Sequence, residues 1–279
     1  MSTHPLRGLV LGLSLLVATA TSARATLLSY EPFGYQNIGG DLQGSSGAGS
    51  FGFATPWVPG GFNAGISNNY DIAAGSLSFG ALLTSGNRAA SGPVNSIAGL
   101  TRDFSTPLGT AGTTRYYSFL LRPEGNLNEG IFNGFFGVTL ESPDEPELYA
   151  GKPGGDAITQ YVIEDRGGSL QHPSLVPVVI GQTALLVVKA EFLNPNDRFT
   201  LYVNPLPGGP EPLVGTVKFD SNLSSVSGFT LYSTGAFSVD ELRLGETFAD
   251  VTPTVPEPGT LLVVLIAMTI GLTTRRIRI

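Results

Sequence analysis

The chain has 279 residues, with 15 Lys+Arg against 22 Asp+Glu, a formal net charge of -7 and only 13% charged residues. Cysteine is absent, and Gly (37) and Pro (20) are abundant. These figures exclude a coiled coil, a basic nucleic-acid-binding face, a disulfide scaffold and a zinc-thiolate centre, whereas 42% hydrophobic residues suffice for a sizeable core.

Residues 1–25 read as a secretory signal peptide. His4 and Arg7 precede an apolar stretch over 9–18, and Ala23-Arg24-Ala25 supplies the small-x-small cleavage pattern. Cleavage after Ala25 leaves a mature chain beginning at Thr26 and a first domain spanning 26–253. Between residues 26 and 255 there are 10 Lys+Arg and 21 Asp+Glu, an acidic balance that suits solubility outside the cell and repels nucleic acid.

An opening strand is predicted over 27–33. The section 31–99 is rich in Gly, Ser and Asn, with turn chemistry at Gly39-Gly40, Gly44-Ser45-Ser46-Gly47 and Pro59-Gly60-Gly61. It is expected to form long loops over a few short strands. From Thr101 onward, aromatic and β-branched runs bounded by Gly, Pro, Asn or Asp predict strands. They fall at 116–121, 135–140, 157–163, 184–190, 199–203, 228–232 and 237–244. No apolar period near 3.6 interrupts them, so the fold class is all-β, a sandwich or barrel.

The order of these strands, closing on Phe237-Ser238-Val239-Asp240-Glu241-Leu242-Arg243-Leu244-Gly245, resembles the concanavalin A-like, or LamG-like, jelly roll. In exported members the last strand ends in an Asp-Glu-x-Arg-hydrophobic-Gly stretch. A short segment like Thr247-Phe248-Ala249-Asp250-Val251 then follows. The resemblance implies a jelly-roll sandwich and says little about activity.

The last segment, 254–279, carries Pro256-Glu257-Pro258, an uncharged apolar run over 260–274, and the terminal Arg275, Arg276 and Arg278. A helix of about 16 residues would cover roughly 24 Å, slightly short of a hydrocarbon core. The arginines are expected on the cytoplasmic side. In all three parts and in their order, this tail resembles the PEP-CTERM sorting signal of Gram-negative bacteria. The resemblance implies recognition by an exosortase, cleavage near the tripeptide, and export across the inner membrane to the surface or extracellular matrix.

Candidate chemistry is sparse. His172 is the one histidine of the mature chain and is expected on a surface loop; no Gly-x-Ser-x-Gly elbow accompanies it. Glu141, Asp144, Glu145 and Glu147 form the densest acidic cluster. Glycanases of this fold resemblance place Glu-x-Asp-x-Glu on one strand; here Pro143 and Pro146 break the run, which reads as a solvated turn. Asp144, Glu145, Asp156, Glu164, Asp165 and the run Asn194-Pro195-Asn196-Asp197 offer oxygens for calcium without a recognised spacing. Asp240 and Glu241 read as a structural salt bridge or polar edge. Trp57, flanked by Pro and Gly, is expected to close one end of the core, with a sugar-stacking platform as the alternative. Tyr116, Tyr117, Phe135 and Phe136 are expected in core or edge packing.

The expectation is an exported surface or matrix protein, structural or adhesive, with no catalytic residues, no cofactor, and calcium as the one candidate ion. Its partners would be an exosortase-type peptidase, the inner membrane and extracellular polysaccharide. The alternative is a lectin-like carbohydrate-binding module, calcium-assisted in one version. A glycan hydrolase ranks third.

Overall fold

The structure, a computed structural model, describes residues 26–66, 69–143, 147–155 and 159–255. The expected signal peptide over 1–25 and the expected sorting motif from residue 256 onward lie outside them, as do Asp144, Glu145 and Asp156. Among the described residues no helix is long and apolar enough to cross a membrane.

Among the described residues fifteen strands follow one another: β1 (Leu27–Glu31), β2 (Val58–Pro59), β3 (Tyr70–Ala73), β4 (Arg88–Ser91), β5 (Ala98–Leu108), β6 (Thr114–Pro123), β7 (Phe136–Glu141), β8 (Leu148–Lys152), β9 (Gln160–Asp165), β10 (Ser169–Pro177), β11 (Ala184–Glu191), β12 (Arg198–Val203), β13 (Thr216–Lys218), β14 (Val226–Ser233) and β15 (Phe237–Gly245). A single turn of α-helix, α1 (Phe248–Val251), comes last. The strands form two antiparallel sheets. The larger runs β13-β12-β11-β6-β15-β4-β3, with β1 also on β15; the smaller runs β10-β9-β8-β7-β14-β5-β2. This is the expected all-β sandwich.

Strand alternation explains the layers, because successive side chains point to opposite faces. Phe119, Leu121, Leu186 and Val188 project inward from the larger sheet, and Phe136, Val138, Leu140, Ile163 and Leu231 from the smaller; all are buried in one core. On the outer face of the larger sheet, Phe248 of α1 packs edge-on to Tyr116 and Tyr202. Thr247 and Asp250 close α1 with reciprocal side-chain bonds to each other's backbone, a capping box.

β15 changes partner halfway, pairing β4 through Phe237–Val239 and β1 through Leu242–Gly245. Glu241 takes up the irregularity with φ 57. Its carboxylate pairs with Arg243 and accepts from Tyr30, while Asp240 accepts the Leu77 N–H at 2.7 Å. The pair is thus structural, as its sequence suggested.

The core-closing reading of Trp57 is met and its platform alternative fails, while the loop placement of His172 needs correction. Trp57 is fully buried (0% exposed), stacked on Phe33 at 5.9 Å, with its indole N–H donating to Glu31. Glu31 also accepts from Tyr35 and the Phe33 N–H and pairs with Arg102, a buried network that holds the indole inside. A ring so enclosed cannot stack on a sugar. His172 lies on β10, not in a loop, and its Nε2 stands 3.1 Å from Asp220.

Candidate functional site

The outer face of the smaller sheet can be built row by row from the register. Thr101, Thr230, Thr139, Tyr149 and Glu164 lie side by side across β5, β14, β7, β8 and β9. The neighbouring row holds Gly99, Tyr232, Gly137, Gly151 and Val162. The glycines have a steric reason: a β-carbon at Gly137 or Gly151 would stand 2.8–2.9 Å from the end of the Tyr149 ring. The Tyr149 side chain therefore lies across both, its hydroxyl donating to the Lys152 carbonyl at 2.6 Å. Phe135 stands 6.4 Å from Tyr149 and 5.0 Å from Tyr232, making an aromatic floor apart from the main core. Phe135, expected only to pack, also lines a cavity.

That cavity, about 480 Å³, lies within the range of small-ligand pockets. Its walls are Phe62, Phe132, Phe135, Tyr149 and Tyr232; the polar groups turned to it are Glu164, Gln171 and Asn63. The Ile131–Asn133 turn carries Phe132 with φ 54, a conformation few non-glycine residues adopt. It is tied down by the Lys152 ammonium, which donates to the Asn133 carbonyl at 2.6 Å, and by Thr234, which donates to the Ile131 carbonyl. Lys152 is buried among carbonyls, and that desolvation lowers its pKa to about 8.

Glu164 is the chemical centre of the site. It is 3% exposed, and its Oε2 has no hydrogen-bond partner among the described residues. Burial raises its pKa to about 7, against the Gln171 hydrogen bond and the charge of Lys218, both of which lower it; Asp165 adds to the rise. Thr139, in the same row, also has an unpartnered hydroxyl. Near neutral pH the Glu164 carboxyl is divided between its two protonation states, so it can donate or accept.

The other acidic candidates are committed elsewhere. Glu141 accepts from Thr230, and Glu147 pairs with Arg166 at 2.6 Å. Asp165 faces away from the pocket, bound to Lys218 and Ser221. Asp197 accepts the N–H groups of Leu193 and Leu223, holding a turn. The described residues contain no group of three metal-ligating side chains. Among the pocket residues, sequence reading singled out Glu164 only as a calcium candidate. It missed Tyr149, whose strand it did not predict, and Tyr232, which it placed only as the end of the predicted strand 228–232.

No family model matches the chain, and no curated protein matches it. Among solved structures it is similar to domain 4 of AbnA, a GH43 extracellular arabinanase from Geobacillus stearothermophilus, in complex with arabinotriose. That match has 16% identity over 82% of this chain and 98% of that one, with a TM-score of 0.49. An endo-1,3-beta-glucanase from Streptomyces sioyaensis matches at 9% identity over 78% of this chain and 95% of that one, TM-score 0.45. The galectin LEC-6 of Caenorhabditis elegans matches at 13% over 50% of this chain and 89% of that one, TM-score 0.31. The likeness is one of fold alone, the two-sheet jelly-roll sandwich. Glycoside hydrolases recur among these matches, which runs against the expectation that the chain is not an enzyme.

Proposed function

We propose that this chain is an exported glycan-recognising domain whose binding site is the aromatic pocket on the outer face of the smaller sheet. The observation that carries this reading is Glu164, buried in that pocket with one carboxyl oxygen unpartnered. Sugars offer hydroxyls to such a group and apolar ring faces to aromatic walls, and Phe62, Phe132 and Tyr149 supply the walls. A second reading, glycan cleavage, is favoured by the pKa of Glu164: a carboxyl near 7 is still protonated enough at neutral pH to serve as a general acid.

The tail motif supports export and retention at the surface or in an exopolysaccharide matrix after processing by an exosortase-type peptidase. The acidic exterior makes polysaccharide, and not nucleic acid, the fitting partner.

The test is a screen of residues 26–255 against immobilised glycans, with product analysis of every hit after prolonged incubation. Binding abolished by Tyr149→Ala and Glu164→Ala in folded protein supports the site. Release of shortened sugars, lost in Glu164→Gln, assigns cleavage. Binding indifferent to both alanine variants would place the ligand elsewhere and refute the reading.

A further inference from the structure

A long polysaccharide chain can cross an outer sheet face only if that face is clear from edge to edge, and here it is not. After β2, residues 60–66 fold back over β5 and β14. The strap is pressed onto the sheet: a β-carbon at Gly61 would lie 3.1 Å from the Thr230 methyl and 3.2 Å from the Tyr232 ring. Such a carbon at Gly99 would collide with the Gly60 carbonyl. Tyr232 donates from its hydroxyl to the Phe62 carbonyl at 2.6 Å, so the floor of the pocket itself ties the strap down. No sugar ring fits beneath it.

The strap also closes a second direction. The Phe62 ring, 49% exposed, lies under the Arg166 guanidinium at 4.0 Å. Arg166 follows β9 and is held by Glu147 at 2.6 Å. Arg166 lies opposite Glu147 across the ladder, so the Phe62–Arg166 contact covers the face on the side of Glu164 toward Glu141 and Glu147. On the opposite side, Phe132, Phe135 and the Gly154-Gly155 backbone form the wall. The charge of the enclosure is one-sided: Glu164 faces the cavity, Arg166 is engaged by Glu147, and Lys152 points to carbonyls.

We infer that the pocket takes the terminal residues of a neutral glycan chain, and that the strap of residues 60–66 with its Phe62–Arg166 contact excludes chain interiors. This rests on the glycan-recognition reading above and narrows it to a ligand class: an uncharged chain end, with a uronate disfavoured by the Glu164 carboxylate. Phe62 is the residue that sets this specificity, since it belongs to both the strap and the cavity wall.

The test uses cello-, laminari-, manno-, xylo- and arabino-oligosaccharides from disaccharide to octasaccharide, their parent polymers, and oligogalacturonides. Calorimetry on the full 26–255 body gives affinity per chain. The expected result is a neutral series whose affinity levels off by the tetrasaccharide and stays within about twofold thereafter. Binding per gram of polymer should rise as limited endo-cleavage creates ends. Phe62→Ala, with its fold checked by near-UV dichroism, should weaken this end preference. Affinity per chain that keeps climbing with polymer length, or tight binding of oligogalacturonides at Tyr149 and Glu164, would overturn the inference while leaving the pocket reading intact. Failure of every sugar to bind folded protein would overturn both.

Discussion

Glu164→Gln removes one ionisation from a buried wall and leaves its shape unchanged, so its effect on stability can be worked from the structure. Burial moves the carboxyl from 4.5 to about 7 in the folded state. Below pH 4.5 the group is protonated whether the chain is folded or not, and it contributes nothing to the balance. Between 4.5 and 7 the folded state keeps a proton that the unfolded chain has released, so stability falls as pH rises through this window. A shift of this size corresponds to about 3 kcal/mol once the group is ionised in both states. Urea unfolding of both proteins at intervals from pH 4 to 8.5 reads the difference directly. The stabilising effect of Glu164→Gln should be small at pH 4 and grow to the order of 3 kcal/mol above pH 8. Other buried acids, Glu31 and Asp240 among them, are also raised by desolvation, but they are common to both proteins and cancel. A difference that stays flat across the range would show that Glu164 titrates normally, and the account of the pocket as a site built around a desolvated acid would fail.

Trp57→Ala should lower stability by about 3–5 kcal/mol, as truncation of a large core side chain does, and leave sugar affinity of the remaining folded protein unchanged; calorimetry at low temperature separates the two. Loss of binding with full stability would return the indole to the ligand surface. Lys152→Met should flatten the pH profile at the alkaline end. The lowered pKa of Lys152, about 8 against 10.5, makes wild-type stability rise with pH across that interval, and chemical denaturation at pH 7.5 and 10 would show whether the variant lacks the rise. Replacing Glu257 or Pro258 should leave an unprocessed, membrane-associated form of the full chain in a host with the sorting machinery. Normal release by fractionation and immunoblot would sink the sorting proposal.

The strands that could be read in advance share one property: their alternation is uninterrupted. β11 buries an aliphatic side chain at every inward position, β6 does so over Tyr117–Leu121, and β15 does so on either side of its slip at Glu241, and their sequence runs show it. β5 hid its length because Arg102-Asp103 and Pro107 break the pattern. Arg102 is nevertheless buried, its charge met by Glu31 from a strand far away in sequence. β10 was unreadable for another reason, since Pro173 and Pro177 argue against a central strand. It is an edge strand, and its register slips between these prolines. The loop-rich early section was legible from its Gly and Asn content, yet nothing local shows that residues 60–66 lie flat on β14. That placement depends on glycines at 61 and 99 meeting partners on other strands.

The pocket was hidden for a related reason. Glu164 and Asp165 are adjacent in sequence and were indistinguishable as acids, but strand alternation sends them to opposite faces and to opposite fates. Asp165 meets Lys218 and Ser221 and is a structural ion-pair partner. Glu164 meets Tyr149 across the ladder and keeps an oxygen without a partner. A sandwich selected only for packing would place an apolar residue there, as it does at Val162 one position over in the pleat. A buried carboxyl with an unmade hydrogen bond costs on the order of 1–3 kcal/mol or more, and the Thr139 hydroxyl in the same row adds to that. The fold bears the cost at Glu164 beside an aromatic cavity, where a ligand hydroxyl could complete that carboxyl. The same residue that weakens the empty sandwich is therefore the one expected to strengthen it when a sugar end is bound, and a rise in melting temperature with the saturating oligosaccharide, absent in Glu164→Ala, would tie the two together.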